Sequence, residues 1–308
     1  MIVFKYCGGL GNQMYQYAMQ IALEQKYTSQ TFKIDTSHYR LFKEHNGFEL
    51  DSYFNIEFSF ATDDEIKSVY NGLVPSKWMG KLPFGIRDFI VHKLQWKYLG
   101  VRNKIYKKKS LLNINDENYP FMQDKLYTGN WYVNGMWQDY KHFNQCRDAV
   151  ISKFTMNPKL SDVDVSYLQS LMDGEGIAVH VRGGDFLKAS TQFNLCGVDY
   201  YKKGLEQLPE LPLYVFTDDI EYAKSIFNDK VVRGFISHSS DQSVVDMYML
   251  SKAKYLLLSN STFAFWGAYL NKNAKAVVCP KYSVTNGSVY LDYNAIKGWV
   301  VIDNTILR

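Results

Sequence analysis

The amino-acid sequence predicts an α/β protein of two Rossmann-like domains, and three observations carry that expectation. The chain has 308 residues, more than one hydrophobic core ordinarily supports. Its first thirty or so residues read as strand, glycine-rich turn and helix. From Gly176 onward, strand and helix patterns alternate regularly, which is the signature of a parallel sheet covered on both faces. The division is expected near residue 160, giving an N-terminal domain over 1–160 and a C-terminal domain over 161–308.

Taken in order, "MIVFKY" is the first strand and "CGGLGNQ" the turn that follows it. "MYQYAMQIALEQ" then places Met14, Tyr17, Ala18, Ile21 and Ala22 on one helical face, with Asn12 available as a cap. The stretch 30–140 is irregular. Within it, residues 75–109 hold ten basic side chains against one acid, Asp88, interleaved with Trp78, Phe84, Phe89, Trp96 and Tyr98. Such a segment suits an anionic membrane surface, and equally suits a solvated basic helix pair. Beyond Gly176 the strands are "IAVHV", "LPLYVFT", "KVVRGFI", "KYLLLS" and lastly "KAVVC", which ends at Pro280. The intervening helices lie near "DYYKKGLEQL", "DIEYAKSIF", "SSDQSVVDMYMLSKA" and "TFAFWGAYLN". Ligands of such sheets bind beyond the carboxyl ends of the strands.

Composition narrows the classes. A net charge of +4 gives no electrostatic footprint for nucleic acid. Cys7, Cys146, Cys196 and Cys279 are scattered without a CxxC pair, as expected for reduced thiols of a cytosolic protein rather than a metal cluster. No signal peptide is expected ahead of the first strand, and no run of 18 apolar residues occurs to span a bilayer.

Four stretches could carry chemistry. Gly9-Leu10-Gly11 has the first half of a dinucleotide fingerprint, but Met14 stands at the third small position and there is no Walker lysine. An ordinary βα turn and an anion site at a helix start both fit it. In "VHVRGGD" (179–185), Arg182 lies just past a buried strand, where its planar donor fork suits phosphate oxygens. A surface turn with a solvated arginine and a core histidine fits as well. In "FTDD", Asp219 reads as a helix cap, and Asp218 or Asp219 could instead grip a ribose or base edge. In "SNSTFAFWG", Ser259 to Thr262 end a strand and open a helix, which either caps the helix or cradles a diphosphate. Asp162-Val163-Asp164 is a literal DxD, but its place at a helix start is explained by capping.

Together these stretches resemble the α-1,2-fucosyltransferase family. The resemblance runs through "GGLGNQMYQYA", "HNGFELDSYFNI" (45–56), "GMWQDYKHF" (135–143), "HVRGGD", "FTDD" and "SNSTFAFWGAYL" (259–270). It implies two facing Rossmann-like domains in the GT-B arrangement and metal-independent, inverting transfer of L-fucose from GDP-fucose to a galactoside hydroxyl. No cofactor is implied beyond that donor substrate. The implied acceptor is a galactose-terminated oligosaccharide or lipid-linked glycan. Implied too is a cytoplasmic location, peripheral on the inner membrane face through 75–109.

The resemblance also suggests roles for individual residues. Arg182 would meet the β-phosphate, and His180 would orient the diphosphate or donor sugar. Ser261 and Thr262 would hold phosphate oxygens, Phe263 would pack on guanine, and Asp246 would accept from its N–H groups. Asp185 and Asp218 fall in the donor region. Asn12, with the Gly9–Gly11 turn, would approach the reacting centre from the N-terminal domain. Glu49, Asp51, Trp137 and Gln138 are the acceptor-side candidates. Two positions depart from the family pattern: Gly183 replaces a second arginine, and Met136 replaces a tyrosine. The first removes a positive charge from the phosphate site, so Gly183→Arg is expected to preserve or raise activity if the loop is a working clamp. A transferase of another GDP-sugar or linkage, and a non-catalytic nucleotide-sugar-binding protein, are the alternative classes.

Overall fold

A computed structural model describes residues 1–41, 46–70, 74–83, 85–86, 89, 112–114, 129–184, 194–228, 230–286, 289–293 and 295–305. The chain divides into two compact units, Met1–Thr155 and Met156–Arg308. Most of the basic segment 75–109 lies outside the described residues. Among the described residues, no helix is long and apolar enough to cross a membrane.

The first unit is built on four parallel strands, β1 (Ile2–Lys5), β2 (Phe32–Asp35), β3 (Leu112–Ile114) and β4 (Trp131–Val133), in the order β2-β1-β4-β3. Helix α1 (Leu10–Lys26) follows β1; α2 (Leu50–Tyr53) and α3 (Asp63–Val69) follow β2, and α4 (Arg147–Lys153) follows β4. Chain continuity takes β1 to β2 on one side, and the remaining strands lie on the other. A topological switch point therefore falls between β1 and β4, and ligands of such sheets bind at the carboxyl edge beside it.

Helix α1 differs from its expected one-sided face. Nearly every residue from Leu10 to Leu23 is buried, so it runs through the interior. The reason is a polar stripe that an apolar reading overlooks. Gln13, Gln16 and Gln20 lie at helical spacing and are all buried, and each is satisfied internally. Gln20 accepts from Tyr6 Oη at 2.8 Å, Gln16 accepts from Cys7 N at 3.1 Å, and Gln13 donates to Gly8 O at 3.0 Å. The helix is thus fastened to the end of β1 by amide side chains.

The second unit holds a six-stranded parallel sheet. Helix α5 (Asp162–Asp173) leads into β5 (Ile177–Val181), and α6 (Val198–Leu205) into β6 (Leu213–Thr217). Next come α7 (Ile220–Ile226), β7 (Val232–Ile236), α8 (Ser243–Leu250), β8 (Tyr255–Leu257), α9 (Thr262–Tyr269) and β9 (Ala276–Pro280). An antiparallel hairpin, β10 (Tyr282–Asn286) with β11 (Val289–Asp292), precedes a final strand, β12 (Val300–Ile302). The order is β12-β9-β8-β5-β6-β7, the doubly wound order, whose switch point lies between β5 and β8. Every residue of β5 and β6 is buried, which accounts for their continuous apolar runs. Strand β12 was not expected from sequence. It is three residues long at the sheet edge, with an exposure pattern that carries no alternation.

Candidate functional site

At the switch point of the second unit, β5 pairs with β8 only through Ala178 and Val179. Beyond them the strands part, and the side chains expected for phosphate binding collect there. His180 Nδ1 lies 2.8 Å from Ser259 Oγ, bridging the ends of β5 and β8. Two neighbouring tyrosines of α6 support the same ends: Tyr201 Oη donates to His180 O at 3.1 Å and Tyr200 Oη donates to Leu258 O. Neither tyrosine stood out in sequence, because "DYY" looks like any helix start.

Arg182 follows β5 and is held by Asp218. Its Nη1 is 2.8 Å from Asp218 Oδ2, while Gly183 N donates to Asp218 Oδ1 at 2.8 Å. Both oxygens of Asp218 are therefore engaged in fixing the arginine loop, so the residue acts here as the clamp on Arg182. Asp219 is the cap of α7, accepting from Tyr222 N at 3.0 Å. Gly183 is closely surrounded. A Cβ there would lie 2.7 Å from Asp219 Cβ and 3.1 Å from Tyr222 Cδ1. The expectation that Gly183→Arg preserves or raises activity thus meets a steric obstacle: the loop is built around the glycine. Asp185 lies outside the described residues.

Helix α9 opens at the carboxyl end of β8. Ser261 caps it, its Oγ accepting from Phe263 N at 3.2 Å. Thr262 is the first helical residue, so its N–H belongs to the set a helix start leaves for an anion. The Phe263 ring lies 6.0 Å from the His180 imidazole, tilted by 38°. Asn260 turns its amide inward. Buried, it donates to Asn194 O at 2.7 Å, and Asn194 in turn donates to Asn304 O at 3.0 Å. This asparagine network ties β8 to the segment after β12. Asp246, on α8, is paired with His238, whose Nδ1 is 2.6 Å from Asp246 Oδ1. Asp164 of the DxD sequence forms a capping box with Ser161, the role its position suggested.

Burial, then the positive charge of Arg182, pushes His180 down to about 3. The imidazole is neutral in the folded protein. The unfolded chain binds this proton below about 6.5 and the folded chain does not, so stability is lost as pH falls from there toward 3. Between pH 6.5 and 5 the loss amounts to about 2 kcal/mol. Urea midpoints at the two pH values should show it, and His180→Gln should flatten the slope. His38, lowered to about 4 by burial and then by Lys5, adds to the loss with the same sign.

In the first unit the crevice between β1 and β4 gathers a second group. Gly8, with φ +77°, makes the tight turn, and a Cβ there would lie 2.5 Å from Asn12 Nδ2. Gly9 is the helix N-cap in an extended conformation, and Gly11 lies inside the first turn. Asn12 is not the cap; its side chain accepts from Gln138 Nε2 at 2.8 Å, joining the β1 and β4 loops. Gln13 donates to Gly8 O and to Gly47 O at 2.8 Å, and accepts from Glu49 N at 2.8 Å. Glu49 is buried and is drawn toward the turn through this glutamine, while Asp51 is exposed on α2. Trp137 is fully buried, its ring edge-on to His142 at 5.6 Å. Its backbone sits in the left-handed region at φ +55°. That conformation, costing of order 1 kcal/mol, turns Met136 and Gln138 outward, both exposed. Gln13→Leu would strand the buried Glu49 N–H and leave the part-buried Gly47 O without this donor, while Gly8 O keeps Tyr39 Oη at 2.8 Å, and is expected to cost about 1–3 kcal/mol in chemical denaturation.

Known proteins resemble the chain over most of its length. A family model described as glycosyl transferase family 11 matches residues 2–303. An α-1,2-colitosyltransferase of Escherichia coli is 30% identical over 283 residues, covering 87% of each chain. The O-antigen biosynthesis glycosyltransferase WbnK of Escherichia coli is 28% identical over 295 residues, covering 89% of this chain and 92% of that one. A galactoside α-(1,2)-fucosyltransferase 1 of Leontopithecus chrysomelas is 25% identical over 157 residues, 45% of this chain and 42% of its own.

Proposed function

The chain belongs to glycosyl transferase family 11, and from that premise we propose that it transfers L-fucose from GDP-fucose to a galactoside hydroxyl, forming an α-1,2 linkage with inversion. The observation that carries the reading is the meeting of Arg182, the His180–Ser259 pair and the α9 start at one switch point.

In this reading the diphosphate lies across that switch point. As the bond from fucose C1 to the β-phosphate oxygen breaks, negative charge grows on the leaving GDP. Arg182, oriented by Asp218, neutralises it where electrostatic help matters most. His180 is neutral; with Ser259 donating to Nδ1, its Nε2–H is left to donate to a phosphate oxygen. The N–H of Thr262 and the Ser261 hydroxyl add donors from the helix start. Phe263 packs on guanine, and Asp246 accepts from its N–H groups. No metal is assigned a part: the leaving charge is met by the guanidinium, and Asp164 of the DxD sequence is committed to its cap.

The acceptor is assigned to the β1/β4 crevice, with the Asn12–Gln138 pair binding sugar hydroxyls. Its attacking hydroxyl must lose a proton. Glu49, buried, with its backbone N–H on Gln13 and its carboxylate accepting from Asn46 Nδ2 at 3.0 Å, is assigned to take it. Because deprotonation can come late in transfer through an oxocarbenium-like state, Glu49→Gln should lower kcat about tenfold, below the roughly 10²–10⁴-fold usual for general-base catalysis. Asp51→Asn should leave it unchanged; equal effects of the two would remove Glu49 from the role.

The similarity to an α-1,2-colitosyltransferase favours one alternative, transfer of colitose, a 3-deoxy relative of fucose. A site that hydrogen-bonds the 3-hydroxyl discriminates strongly against a donor lacking it. Initial rates with GDP-fucose and GDP-colitose, followed by linkage analysis of the product on galactosides, decide between them. Transfer from neither donor, with neither hydrolysed, would leave the non-catalytic class. The basic segment 75–109 is assigned to peripheral contact with an anionic membrane, near the lipid-linked acceptor. Sedimentation with anionic liposomes should then fall as salt rises.

A further inference from the structure

We infer that His238 is a positioning residue for base selection: bridged to Asp164, it holds the Asp246 carboxylate in one orientation toward the nucleobase of the donor. The inference rests on the proposed donor site and adds to it a residue that does not itself touch the nucleotide.

Topology places the group on the correct side of the sheet. Helices α5 and α8 run down into the amino ends of β5 and β8, so their first turns stand beside the carboxyl edge. Asp164 and Asp246 occupy those first turns. His238 follows the carboxyl end of β7. All three are thus on the edge that carries the β5/β8 switch point. The imidazole is inserted between the two acids, with Nδ1 2.6 Å from Asp246 Oδ1 and Nε2 3.4 Å from Asp164 Oδ1. Side-chain exposure is 19% for His238, 10% for Asp164 and 13% for Asp246.

The far end of this chain is anchored. Asp164 Oδ2 accepts from Ser161 N at 3.0 Å and from Ser161 Oγ at 2.6 Å. The capping box of α5 therefore fixes Asp164, Asp164 fixes His238, and His238 fixes one oxygen of Asp246. A carboxylate on a single-bonded side chain otherwise rotates freely, and ordering it on binding costs affinity. With Oδ1 pinned, Oδ2 keeps a set direction. Guanine presents N–H donors to such an acceptor, whereas adenine presents a ring nitrogen lone pair that a carboxylate repels. The hydrogen bond to Asp246, opposed by burial and supported by the charges of both acids, raises the His238 pKa. A ring protonated on both nitrogens donates to both acids at once.

The test is isothermal titration of the full chain with GDP and with ADP, alongside transfer kinetics with the GDP-sugar donor. His238→Ala should weaken GDP binding about tenfold, the loss typical of one hydrogen bond to a charged group. ADP binding should be unchanged, so the GDP/ADP preference falls by the same factor. The donor KM should rise while kcat stays within about twofold, as for removal of uniform binding. His238→Gln, which keeps the volume and one donor, should recover part of the preference, and Asp164→Asn should lose less than His238→Ala. Arg182→Ala should weaken GDP and ADP alike. If His238→Ala and His238→Gln keep the wild-type GDP/ADP ratio, or lose both nucleotides equally, the inference is overturned. If the wild-type chain itself does not prefer GDP to ADP, the donor-site reading fails first.

Discussion

Arg182→Ala should lower kcat/KM for the nucleotide-sugar donor by about 10³-fold, the scale on which removing a charge-stabilising donor acts. The substitution takes away the cation at the β5/β8 switch point, where the leaving diphosphate gathers charge. It should leave the fold intact. The Arg182–Asp218 pair is a quarter to a third exposed, and such pairs contribute about 0–1 kcal/mol to stability. The hydrogen bond from Gly183 N to Asp218 survives the change. A melting temperature close to wild type with activity gone is therefore the expected result. Arg182→Lys should sit in between, because an ammonium supplies the charge without the fork. Near-normal kcat/KM in the alanine variant would remove Arg182 from the phosphate role.

Gly183→Arg should lower activity about a hundredfold, because displacing a positioned group by an ångström can cost that much. The family pattern suggests the opposite, since it would restore an arginine. The difference is local packing. A Cβ at Gly183 meets Asp219 Cβ at 2.7 Å, and that atom sits on the cap of α7 and cannot swing aside as a side-chain tip would. Either the arginine loop moves away from Asp218 or the α7 start shifts. Gly183→Ala isolates the effect: it adds only the Cβ and should already lose most of the activity. Steady-state kinetics on both variants, with near-wild-type melting, would separate a displaced clamp from a collapsed fold. Full activity in Gly183→Ala would show that the loop yields without cost.

Much of the donor-side crevice was legible in the sequence because its signals are local. A buried apolar run, a glycine loop and a helix start follow one another within ten or so residues, and α/β sheets bind ligands where those segments meet. "VHVRGG" and "SNSTF" were placed correctly at strand ends for that reason. Their adjacency was not legible. It depends on β8 returning beside β5 rather than next to β7, a pairing between residues some eighty positions apart. The pairing of Asp218 with Arg182, and of Asp246 with His238, likewise joins separate segments of the chain, and no local pattern reveals either. On the N-terminal side, Asn12 and Gln138 were singled out separately, and the fold joined them. The glutamine stripe of α1 was passed over because a helix is ordinarily read by its apolar residues.

By itself, then, the sequence determined most element types after Gly176 and the residues that stand at strand ends, since these follow from short-range periodicity and turn chemistry, while the family came from the resemblance of its motifs. Tertiary structure alone decided which carboxylate faces which cation, that Trp137 is buried in a left-handed turn while Gln138 is exposed, and that Gly183 has no room for a side chain. Those outcomes are set by steric exclusion and hydrogen-bond pairing between segments far apart in the chain, and no local pattern encodes them.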